Sequence, residues 1–176
     1  MPIRLAKGEA STESFRAINP RMKVPAMQEV DSTGQVLLNL SESHAIMRYL
    51  ALSNKVADHW YPVSDLRKCA KVDEYLDLHH SALRTGMTPL VFKSMFAPIM
   101  EGRTYEDHEL EESKQNLRSA LTDMEDRLTK NRYLTGDSMS IADVSAAHEL
   151  DQGKFIRLNI SRWPRTEAWL HHMIDE

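Results

Sequence analysis

Cysteine is nearly absent from this chain of 176 residues: Cys69 stands alone, which excludes an internal disulfide. Glycine and proline are also scarce, at six and seven residues, and no low-complexity tract or internal repeat is present. Disorder is therefore not expected. No apolar run nears the roughly 20 residues that a membrane helix needs, and Met1-Pro2-Ile3-Arg4 opens no signal peptide with a long apolar core. A surplus of positive charge is missing too. The 22 Lys and Arg residues against 26 Asp and Glu leave a net charge of -4, and bases are interleaved with acids, as from Glu109 to Lys114 and from Asp123 to Lys130, so no nucleic-acid partner is expected. What remains, 41% hydrophobic and 27% charged residues, describes a globular protein of one or two domains, expected in the cytoplasm and off the membrane.

Two periodicities divide the chain near residue 60. Residues 23–28 and Val36-Leu37-Leu38-Asn39-Leu40 are expected strands, joined into a hairpin by Asp31-Ser32-Thr33-Gly34. From Ser43 the pattern turns helical through Ile46, Tyr49 and Leu50, and His59-Trp60-Tyr61-Pro62 closes the unit. Beyond the proline nearly everything reads as helix. Ser64 is the expected N-cap of a run through Leu66, Ala70, Tyr75, Leu76, His79 and Leu83, interrupted near Gly86 and Pro89. A second amphipathic segment reaches about Met100. Leu110, Leu117, Leu121, Met124 and Leu128 then stripe a long helix that ends before Asn131. Two more helices are expected over about residues 140–152 and 164–174. Ser140 and Asp143 form an S-x-x-D capping box, a folding element, with Met139 and Val144 available as a hydrophobic staple.

Other chemistry-bearing residues point to little. Cys69 sits among Arg67, Lys68 and Lys71, cations that would favour a thiolate, yet an unreactive helical side chain is the expected reading. His79-His80 and His171-His172 are adjacent pairs, and neighbours on a helix point about 100 degrees apart, so no metal is expected. His148-Glu149 lacks a second ligand at the spacing of a zinc helix.

Several segments carry a resemblance to glutathione transferases, and among these to the theta class. Asn19-Pro20 followed by Lys23-Val24-Pro25, then Glu42-Ser43-His44-Ala45-Ile46 with Tyr49-Leu50, resembles the second half of the thioredoxin-like domain. Asp58-His59-Trp60-Tyr61-Pro62 and Val72-Asp73-Glu74-Tyr75-Leu76 are similar to the theta-type linker and first long helix. Tyr133-Leu134-Thr135-Gly136 leading to Ser140-Ile141-Ala142-Asp143 resembles the signature of the buried helix in the C-terminal domain, and Trp163-Pro164 with Trp169 fits the helix after it. The resemblance implies an α/β thioredoxin-like N-terminal domain, incomplete, over residues 1–57 and an all-α glutathione transferase C-terminal domain over residues 58–176.

The resemblance also implies a site. It makes the Val24-Pro25 bond cis, leaving the Val24 backbone N–H and C=O to pair with the cysteinyl backbone of glutathione, as in strand addition. Glu42 and Ser43, at a strand-to-helix junction, would take the γ-glutamyl ammonium and carboxylate. Lys23 would meet the glycyl carboxylate, and Arg84 would favour the thiolate or equally hold a carboxylate. The four-residue spacing of His80 and Arg84 puts both on one helix face, where His80 would line the electrophile pocket. Without the resemblance, Pro25 is an edge-strand proline, Ser41 or Ser43 a helix cap, and Lys23 and Arg84 surface cations. Ala10 stands where theta members often place a polar side chain, so one carboxylate contact is expected to be absent.

Chemistry is a separate matter, because a thiol of ordinary pKa near 8.5 is only a few per cent ionised at neutral pH. In theta-like enzymes a serine at the start of the first helix supplies the activating hydroxyl. Here residues 2–6 resemble the second strand, leading into residues 11–17 as the second helix, so no residue matches that serine. Ser11 and Ser14 read as a cap and a helix-face residue. Two functions follow as expectations. One is an enzyme joining glutathione to small hydrophobic electrophiles, as a homodimer. The other is a module that holds glutathione, a hydrophobic ligand or a protein partner without turnover.

Overall fold

In the computed structural model residues 8–175 are described, and the strand expected at residues 2–6 lies outside them. Contacts divide the chain into two units, Met1–Val56 and Ala57–Glu176.

In the first unit a 3-10 turn at Glu9–Ser11 leads into α1, Glu13–Ile18. The cap of α1 is Thr12, whose hydroxyl accepts the Phe15 N–H; Ser11 does not cap it, because it is the last residue of the turn. Strands β1, Ala26–Val30, and β2, Val36–Ser41, form an antiparallel hairpin with Ala26 opposite Ser41 and a bulge between Glu29 and Val30. The strand β1 starts three residues later than expected, since Pro25 has no N–H to give a ladder. The turn between the strands is held by Asp31, whose carboxylate accepts from Thr33 N, Thr33 Oγ1 and Gln35 N at 2.8, 2.7 and 2.9 Å. The helix α2, Ser43–Ser53, follows directly. Tyr49 donates its hydroxyl to Glu29 and so ties α2 to β1.

The second unit is helical. A 3-10 turn at Asp58–Trp60 precedes α3, Leu66–Ser81. Its cap is Asp65 rather than Ser64: the Asp65 carboxylate accepts from Arg67 N and Lys68 N, while the Ser64 hydroxyl donates to Asp58 at 2.6 Å. The expected interruption near Gly86 and Pro89 falls earlier, at Ala82 (φ -112, ψ -91), and α4, Leu83–Val91, runs through both residues. Pro89 removes one intrahelical donor, and the chain widens after it into a π turn at Phe92–Phe96 before α5, Ala97–Met100. The long α6, Asp107–Lys130, buries Leu117, Leu121, Met124 and Leu128 along one stripe and ends at Asn131.

The last two helices are α7, Ile141–Asp151, and α8, Pro164–Asp175. The N-terminus of α8 is held from α6, where the Glu125 carboxylate accepts Arg165 N at 3.0 Å, Thr166 N at 2.9 Å and Thr166 Oγ1 at 2.8 Å. Packing centres on α4, which lies against α3, α6 and α7, while α8 covers α6 and α7. Among the described residues no helix is long and apolar enough to cross a membrane.

Candidate functional site

The loop between α1 and β1 is organised by one buried side chain. Asn19, 2% exposed, donates from Nδ2 to the Lys23 carbonyl at 2.7 Å and accepts the Arg21 N–H at 3.1 Å. Its own carbonyl accepts the Met22 N–H at 2.9 Å. Met22 takes a left-handed conformation, φ 54, and the Val24–Pro25 bond is cis. Lys23, Val24 and Pro25 all lie at the surface. Among the described residues, the Val24 backbone makes no turn or loop hydrogen bond.

The second segment meets the first through the hairpin. Ala26 pairs with Ser41, so stepping back to Pro25 and Val24 on one strand runs alongside Glu42 on the other. Glu42 caps α2 with φ 72 and ψ 116, and its carbonyl accepts the Ile46 N–H at 3.0 Å. The first N–H groups of a helix have no partner within the helix, and their dipoles add up to partial positive charge. The side chain of the N-cap residue, Glu42, makes no capping hydrogen bond to those of α2. Ser43 is half-buried there, and the Glu42 carboxylate accepts from Arg21 Nη1 at 2.9 Å. The site therefore offers a carboxylate, a helix N-terminus, a hydroxyl, two cations and a bare backbone edge. Arg21 carries no local sequence signal beyond being a second basic residue near Lys23, because its partner is 21 residues away.

The helical unit carries the remaining candidates. His80, exposed, lies in the last turn of α3, and Arg84, exposed, in the first turn of α4. The non-helical Ala82 between them breaks the four-residue spacing that would put them on one helix face, which corrects that expectation. Arg84 Nη1 donates to Glu149 Oε2 at 3.3 Å, and Thr88 Oγ1 donates to Glu149 Oε1 at 2.5 Å. His79 Nε2 lies 3.9 Å from the same carboxylate, an ion-pair distance.

Ser140 and Asp143 form a complete capping box at the start of α7. Asp143 also accepts Leu134 N at 2.9 Å and Trp169 Nε1 at 3.3 Å, knitting the preceding loop to α8. Burial raises the Asp143 pKa, and the hydrogen bonds from Leu134, Ser140 and Trp169 offset only part of that. Cys69 is buried against Asp73. Among the described residues no group of three or more His, Cys, Asp and Glu is disposed to hold a metal ion.

A family model described as "Glutathione S-transferase, C-terminal domain" matches residues 86–176. The chain is similar to glutathione S-transferase theta-3 of Mus musculus, 39% identical over 149 residues that cover 84% of this chain and 59% of the relative. It thus spans less than two thirds of that curated relative's length. Human glutathione S-transferase T1-1, in its apo form, matches with a TM-score of 0.85 and 32% identity over 96% of this chain and 69% of the other. Human glutathione transferase theta-2, solved in complex with glutathione and an unknown ligand, matches with a TM-score of 0.86 and 28% identity over 97% and 68%. With the family model covering more than half of its residues, the chain belongs to the glutathione S-transferase family and resembles the theta class.

Proposed function

We propose that the unit ending at Val56 binds glutathione. The observation that carries this reading is the convergence of Glu42, Ser43 and the α2 N-terminus with the Val24 backbone, brought alongside by the Ala26 and Ser41 pairing. Val24 would pair its N–H and C=O with the cysteinyl backbone. Ser43 and the first N–H groups of α2 would take the γ-glutamyl carboxylate, Glu42 its ammonium, and Lys23 the glycyl carboxylate. The human theta-2 relative bound to glutathione supports the same ligand.

From the helical unit, Arg84 is the proposed cation favouring the thiolate, with its guanidinium oriented by Glu149. His80 is the proposed lining residue for small hydrophobic electrophiles. A homodimer is proposed as the assembly, and the exposed apolar Leu66 at the start of α3 and Val63 in the segment before it are surface that a second copy would cover.

Binding without turnover is the second reading, and the hydroxyls at the start of α1, both engaged in local hydrogen bonds, are consistent with it. Thr12 is engaged in capping, and Ser14 Oγ lies 3.1 Å from Thr12 Oγ1, in hydrogen-bond contact. Conjugation of an alkyl halide to glutathione by the purified chain separates the two readings.

The test of the site is calorimetric titration with S-hexylglutathione beside Glu42→Ala. Micromolar binding by the unsubstituted chain, weakened at least tenfold in the variant, is the expected result. No binding by the folded, unsubstituted chain overturns the reading.

A further inference from the structure

The ion pair between Arg21 and Glu42 is exposed at both ends, 73% and 58% of the side chains. A pair so placed contributes little to folding. The backbone beneath it is nevertheless tightly specified. Buried Asn19 holds the Arg21 N–H and the Lys23 carbonyl, Met22 is left-handed at φ 54, and Glu42 itself sits at φ 72. Non-glycine residues with positive φ are costly, and they cluster where geometry serves a site.

Electrostatics says what that geometry serves. An amino-acid head carries ammonium and carboxylate on one carbon, so a Glu42 that takes the ammonium also faces the ligand's carboxylate at short range. Like charges that close repel. The helix N-terminus opposes the repulsion with only about half a unit of positive charge. Arg21 brings a full, permanent charge to the same place. A guanidinium has five N–H donors in a planar fork that matches a carboxylate, and the Glu42 contact uses one of them.

Building on the glutathione reading above, we infer that Arg21 is a specificity-determining residue of this site, contacting the α-carboxylate of the ligand's γ-glutamyl end while Glu42 takes the ammonium. The pair reads a zwitterion.

The test compares two probes by calorimetry on the whole chain. One is S-hexylglutathione. The other is its 4-aminobutyryl analogue, which keeps the amine and lacks the α-carboxylate. Arg21→Ala is expected to weaken S-hexylglutathione binding roughly tenfold, the scale of one charge-assisted contact, and to leave the analogue's affinity at the unsubstituted chain's value. Arg21→Gln, which keeps side-chain length and loses the charge, should behave alike and replaces the alanine variant should circular dichroism show that variant misfolded. Unchanged affinity for S-hexylglutathione, or an equal loss with both probes, overturns the role of Arg21 and leaves the glutathione site standing. No binding of S-hexylglutathione by the unsubstituted chain overturns the site and the role together.

Discussion

A carboxylate that is only 4% exposed, as Glu149 is, stays ionised only where donors converge on it. Burial pushes its pKa up. The His79 imidazole, the Thr88 hydroxyl and the Arg84 guanidinium outweigh that and hold the carboxyl below its ordinary value of 4.5. A folded-state pKa below the unfolded one contributes stability in full above about pH 4.5 to 5, and that contribution disappears as pH falls through the folded value. Glu149→Gln should therefore lose about 1–3 kcal/mol at pH 7, the scale for stranding buried polar partners. Denaturation of both proteins across pH 7 to 3 should show the gap closing below about pH 5. A gap independent of pH would mean that packing, not the charge, is what the substitution removes. The contrast between Glu149 and Glu42 shows what was legible at this scale. Lys23, Glu42 and Ser43 are candidates through the resemblance of their motifs to the family, and those motifs lie at a proline and at a strand-to-helix junction, both local features. The Arg21 contact to Glu42 and the Arg84 contact to Glu149 span 21 and 65 residues, and only the folded chain brings such partners together.

Elements were legible where the signal was a long stripe and less so where it was a single residue. The stripe of α6 announced a helix that ends at Asn131, as observed. Gly86 and Pro89 read as breakers, since intrinsic propensity penalises both in a helix, yet α4 continues through them. The reason at Gly86 is a helix crossing. A Cβ there would lie 2.4 Å from Leu117 N and 2.7 Å from Leu117 Cα on α6. Those are backbone atoms, unable to swing aside like a side chain. Propensity alone predicts that Gly86→Ala stabilises α4 by about 1 kcal/mol, whereas overpacking of a core costs about 1–3 kcal/mol or more. The steric term should win, leaving the variant less stable by at least about 1 kcal/mol in urea denaturation followed by circular dichroism. A stabilised variant would mean that α4 and α6 separate cheaply and that the close crossing contributes little.

The distribution of the core over the whole molecule gives its two units different expectations. Among the described residues, Ala10 and Phe15 are buried apolar side chains of the first unit, and every other one lies from Cys69 onward. A two-stranded hairpin is marginal without a packed face, so the β1 and β2 pairing relies on its contacts with α1 and α2, among them the link from Tyr49 to Glu29. Local opening free energies follow such differences in burial. Native-state hydrogen exchange should therefore show amides of α3, α4, α6 and α7 protected on the order of a hundredfold more than those of β1 and β2. A ligand that binds the folded state alone raises the opening free energy of the segments it holds, by about 2.7 kcal/mol at one hundred times its dissociation constant. S-hexylglutathione at saturation should therefore slow exchange in β1, β2 and the first turns of α2, and leave the most protected amides of α6 nearly unchanged. Uniform protection in both units, or a ligand effect spread evenly over the chain, would instead make the molecule a single cooperative unit.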